Sequence, residues 1–84
     1  MDKYQLIVNR LNQIVDMKGD EQLDQLGSYI IGALVVDDDA DKLCDKNDKL
    51  ARIAELGGDL ETKNGGGEWM QKNWEEVKKL VEQL

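Results

Sequence analysis

Asp37, Asp39, Asp41, Asp45 and Asp48 stand at positions one, three, five, nine and twelve of a twelve-residue stretch, the spacing at which helix–loop–helix sites gather oxygens round a calcium ion. Such a loop needs glycine at position six, where it turns sharply, and a bidentate glutamate at position twelve. Here those places hold Lys42 and the shorter Asp48. The five aspartates are therefore the ligand set of a degenerate calcium switch only as an alternative. The reading placed ahead of it is a solvated, helix-capping acidic turn with no metal and no cofactor.

The rest of the chain offers little with which to make or break bonds. It has no histidine, the side chain that exchanges protons near neutrality and binds metals most often. Cys44 is the single cysteine and has no imidazole to activate it, so it reads as a small apolar residue rather than a nucleophile. Gly65-Gly66-Gly67 is followed by no Lys-Ser or Lys-Thr pair and preceded by no strand, which removes the phosphate-loop context. The acids Glu55, Glu61, Glu68 and Glu75 fall on polar faces or in loops, not across a cleft as paired catalytic carboxylates would. No enzyme is expected.

Charge narrows the partners. The chain carries 18 acids against 11 bases, a net charge of −7, which disfavours direct binding to nucleic acid and favours approach to a basic protein surface. Between Asp16 and Asp48 stand 10 acids and 3 lysines, so nearly all of the excess lies in that part. The opening Met1-Asp2-Lys3-Tyr4 runs straight into an amphipathic pattern without the features of a secretion signal, and the longest apolar run, Tyr29 to Val36, is far short of the ~20 residues of a membrane span. With one cysteine and no internal disulfide, a cytoplasmic protein is expected.

The elements that must position these residues follow from apolar spacing. Tyr4, Ile7, Val8, Leu11, Ile14 and Val15 repeat at the interval of one helical face, with Asp2 as cap, Leu6 outside the stripe and Gly19 as the stop. Asp20 offers the next cap, and Leu23, Leu26, Ile30 and Leu34 carry the second stripe. From Tyr29 to Val36 this segment is apolar nearly all round. That predicts the most buried helix, with Gly27 and Gly32 admitting a neighbouring backbone; a strand, the rival assignment, lacks a partner strand. A third helix begins in the aspartates. The next is capped by Asn47 or Asp48 and stopped by Gly57 and Gly58. Trp69, Met70, Trp74, Val77, Leu80, Val81 and Leu84 mark the last.

The predicted fold is all-α: one domain, a compact bundle of four or five short helices at approximately 2–18, 20–36, 39–46, 48–57 and 68–84, with a flexible glycine-rich loop at 58–67. The predicted function is a small acidic protein-binding module of the inhibitor, adaptor or regulatory-subunit kind. Its candidate partner-binding residues are Asp37, Asp38, Asp39, Asp41, Asp45 and Asp48, joined by Trp69 and Trp74, although the tryptophans are first of all expected to close the core. Crowding is expected to raise the pKa values of Asp37, Asp38, Asp39 and Asp41. The alternative of another class is a homodimer or larger homo-oligomer through the C-terminal helix, with Met70, Trp74, Val77, Val81 and Leu84 pairing with their own copies.

Overall fold

The computed structural model describes residues 2–17 and 22–84. Five helices are formed, α1 Lys3–Val15, α2 Leu23–Leu34, α3 Asp38–Cys44, α4 Asp48–Glu61 and α5 Gly66–Glu82, and the described residues include no strand. The all-α bundle is thus what the spacing predicted. No helix among the described residues is long and apolar enough to cross a membrane. The expected cap and stop at Asp20 and Gly19 lie outside the described residues.

Three helix starts are fixed by side chains that accept the free N–H groups of the first turn. Asp2 accepts from Gln5 N at 2.8 Å. Asp37 accepts from Asp39 N and Ala40 N at 2.9 and 3.2 Å. Asn47 accepts from Lys49 N and Leu50 N, both at 3.1 Å. α5 opens differently, from Gly65 and Gly66 in the left-handed region at φ +84° and +83°, a conformation that glycine adopts without the Cβ clash other residues suffer.

The core is one cluster, in which Leu11, Ile30, Leu34, Leu50, Ile53, Leu56, Leu60 and Val77 are almost wholly removed from water. Its axis is the packing of α2 on α4, which is closest at a pair of glycines. A Cβ built on Gly27 would lie 2.6 Å from Glu61 N and 2.7 Å from Gly57 O, while one on Gly57 would lie 2.5 Å from Ile30 Cγ2. Two backbones therefore nearly touch.

That crossing corrects the expected stop at Gly57 and Gly58. Both lie inside α4, which continues to Glu61 because the helix needs a residue without Cβ where it meets α2, and because Leu60 completes the buried stripe begun by Leu50, Ile53 and Leu56. The expected loop over 58–67 shrinks accordingly to the four residues between α4 and α5. Two expectations for α2 are also corrected. Gly32 admits no neighbour, since nothing lies within 4 Å of a Cβ placed there. Tyr29 to Val36 is not buried throughout: Ile30, Ala33 and Leu34 are, but Tyr29, Val35 and Val36 are 40%, 43% and 73% exposed. α4 packs most extensively on this helix, with α1, α3 and α5 touching it less, and Tyr29, Val35 and Val36 stay on its open side.

Candidate functional site

α3 is a seven-residue helix held to the body by Ala40, which is buried, and by Leu43 and Cys44, which pack against the core. This leaves its acidic residues outward. Asp38, Asp39 and Asp41 occupy the first turn, where the helix dipole favours negative charge. Asp45 is the C-cap, and Asp48 begins the first turn of α4. All five are exposed.

Asp37 is the exception. Its carboxylate caps α3 and accepts from Lys3 Nζ at 2.6 Å, tying the start of α1 to the end of α2. The hydrogen bond from Lys3 and then that from Ala40 N–H hold its pKa below the ordinary aspartate value. Crowding was expected to push it upward. The neighbouring cation and the capped backbone win because they touch the carboxylate directly.

The same helix changes the geometry of the calcium spacing. Alternate residues of an extended loop can converge on one ion, but residues two apart on an α-helix are turned by about 200° from each other. Asp39 and Asp41 therefore diverge. Among the described residues no group of three or more acidic, histidine or cysteine side chains gathers in a way that could hold a metal ion. Cys44 is half-buried, its thiol 3.9 Å from Leu34 O, and burial, helped by Asp41 and Asp45, pushes its pKa up. It is a thiol rather than a thiolate at neutral pH.

The two tryptophans part company. Trp74 is buried in the core, whereas Trp69 is 58% exposed, with Lys72 Nζ 5.0 Å from its ring centroid in a cation–π contact. The backbone of Gly65 lies beneath the ring, where a Cβ would come within 2.9 Å of it. Trp69 is not brought to the aspartates: it lies near the start of α5 beside Asp59 and Asn64, at the end of α4, whereas α3 leads into the start of α4. Trp74, Val77 and Val81 are buried within the chain, with Met70 and Leu84 packed against them. Much of the apolar stripe of α5 is thus used within the chain, with Met70, Leu80 and Leu84 only partly covered.

Sequence reasoning missed a groove of about 520 Å³ between α1 and α2. Ile7, Gly32 and Ala33 line it with the exposed Leu6, Lys3 and Asp37 stand at one end, and Arg10 and Gln13 lie farther along α1. The signals were Leu6, outside the α1 stripe, and Gly32. Arg10 forms no ion pair with a described residue, in contrast to Arg52, which is bound by Glu76 at 2.8 and 3.2 Å and by Glu55 at 2.9 Å. Comparison with protein-family models, with curated proteins and with solved structures finds no match to this chain. Chemically, the α1–α2–α3 side offers carboxylates that form no ion pair with a described residue, the Arg10 guanidinium and open apolar surface.

Proposed function

We propose that this chain is a non-catalytic, cytoplasmic binding module, of the inhibitor, adaptor or regulatory-subunit kind, which engages a basic protein surface through the acidic segment around α3. One observation carries the reading: Asp38, Asp39, Asp41, Asp45 and Asp48 are all exposed, and none forms an ion pair with a described residue. Helix capping and the dipole account for the aspartates at the starts of α3 and α4. They do not account for Asp45, which sits at the C-cap of α3, where the dipole disfavours a carboxylate. Val35 and Val36, exposed immediately before Asp37, add apolar contact beside the charge, and a surface of both kinds suits a protein better than a nucleic acid.

The test is affinity capture from extract of the native host at rising salt, comparing wild type with the double variant Asp38→Asn, Asp39→Asn. A partner is expected that wild type retains at low salt and releases as attraction is screened over about 8 Å at physiological ionic strength, and that the variant retains several-fold less. Equal retention by both proteins refutes the acidic segment as the binding surface. The thermal stability of the variant is expected to stay within about 0.5 kcal/mol of wild type, the usual range for surface substitutions.

A further inference from the structure

We propose that the groove between α1 and α2 seats an amphipathic, basic helix of the partner, its apolar side chains on Leu6, Gly32 and Val36 and its cationic side chains toward Asp38 and Asp39. The inference rests on the proposed acidic binding surface and adds to it the partner's secondary structure and the place where it lies. It begins from a glycine without a use in the chain's own fold. Glycine inside a helix is less stable than alanine by roughly 0.5–1 kcal/mol. Gly27 and Gly57 offset that cost by letting α2 and α4 meet, but Gly32 faces open space.

The residues around it form a second apolar face. Tyr29 and Gly32 follow the i, i+3 spacing by which a helix meets another helix, Val36 stands exposed in the bend that follows α2, and Leu6 lines the groove from α1. Tyr29, Val36 and Leu6 are each at least 40% exposed. A missing side chain between larger ones makes a socket for a knob from outside. The stretch of α1 from Lys3 to Gln13 that borders the groove is about 15 Å long, matching about ten residues of a facing helix.

Charge selects the occupant. Beyond the Lys3–Asp37 end of the groove lies the acidic first turn of α3, and along α1 lies Arg10, which forms no ion pair with a described residue, so a facing helix with cations at one end and an acid or its own C-terminal carbonyls at the other is complementary along its length. A second copy fits worse, because two chains of net charge −7 repel each other on approach.

The test uses the whole chain, labelled with nitrogen-15, and two synthetic Leu/Lys peptides of about 14 residues, long enough for the turns a groove of this length can contact. One has leucines at helical spacing and the other has the same composition in scrambled order. The amphipathic peptide is expected to shift the amide resonances of Leu6, Arg10, Gly32 and Val36 and to bind about tenfold more tightly than the scrambled one, the factor that separates one good anchor from none. Gly32→Met, which fills the groove, is expected to remove that advantage without lowering the melting temperature. Equal binding of both peptides, with shifts confined to Asp38–Asp48, overturns the groove and leaves the acidic surface standing. Absence of any binding that depends on Asp38 and Asp39 overturns both. Groove shifts that grow with protein concentration alone, without peptide, assign the face to a second copy and overturn the inference.

Discussion

Gly27 and Gly32 lie on the same helix, yet a methyl group added at Gly27 would meet Glu61 N at 2.6 Å and Gly57 O at 2.7 Å, whereas one added at Gly32 would meet nothing within 4 Å. The inner side of α2 is specified by contact: the glycine is there because another backbone is. The outer side has the same kinds of residue, Tyr29 and Val36 near Gly32, yet no described residue comes within 4 Å of a methyl placed at Gly32. The difference teaches that composition alone does not distinguish a packed face from an offered one. Only the neighbour does.

The comparison breaks most readily at its largest expected effects. Gly27→Ala should destabilise the fold by about 3 kcal/mol, at the upper end of overpacking costs, because its new methyl meets backbone that cannot rotate away. Gly57→Ala should cost less, about 2 kcal/mol, since its methyl meets a side chain rather than backbone, Ile30 Cγ2 at 2.5 Å and Cβ at 2.9 Å, of which only the first moves when the side chain rotates. Gly32→Pro should cost about 3 kcal/mol or more for a reason unrelated to space, the loss of a helix hydrogen bond and a clash with the preceding turn. Urea denaturation of the three variants measures these values. If Gly57→Ala proves the costlier alanine variant, the crossing is governed by Ile30 and not by the backbones.

Gly32→Ala carries the opposite sign. With open space around the new methyl and a helical backbone already in place, it should stabilise the protein by about 0.5–1 kcal/mol. This is the sharpest test of the contrast between the two faces, because the same substitution five residues earlier in the same helix is expected to be strongly destabilising. Equal losses at both positions in urea titrations would show that the outer side of α2 is packed in solution.

Much of this architecture was legible in the sequence, for identifiable reasons. α1 and α5 carry sustained stripes with polar opposite faces, and a local period is enough to define such a helix. The break before Asn47 was legible too, because an asparagine on an apolar face makes better sense as a cap, and Asn47 does cap α4. Gly57 and Gly58 were misread because a glycine pair stops a helix by local rules, while its role here is set by α2, about thirty residues earlier. Leu60, four residues after Leu56, held the signal that α4 continues. The fates of Trp69 and Trp74 were not readable: five residues apart, they lie at opposite edges of one stripe, and only the position of α4 decides which edge is covered. The acidic segment was identified as a surface, but the groove beside it arises from how far α1 stands from α2, which no single helix encodes.

The smallest expected effect lies at the outer end of α2, where Asp37 joins the groove to the acidic segment. Its carboxylate is held below the usual aspartate range by the Lys3 hydrogen bond and by the N–H of Ala40, so the folded state favours the ionised form more than the unfolded chain does. A depressed carboxylate pKa contributes stability that is fully present above the unfolded value and is lost as pH falls through the folded one. Glu76, lowered by the hydrogen bond from Arg52, acts with the same sign, so wild type should melt at progressively lower temperature as pH is taken below about 4, near the unperturbed carboxylate values. Asp37→Asn isolates the first contribution, because asparagine is as good an N-cap as aspartate and keeps the bonds from Asp39 and Ala40 while losing the charge. The variant should therefore resemble wild type at acid pH and fall below it near neutrality, by a small margin since Lys3 and Asp37 are each 40% exposed and exposed pairs contribute little. Melting curves of the two proteins across that pH range decide the matter: a constant gap would mean that Asp37 acts through its cap geometry alone, and the tie between α1 and α3 at the mouth of the groove would then be steric rather than ionic.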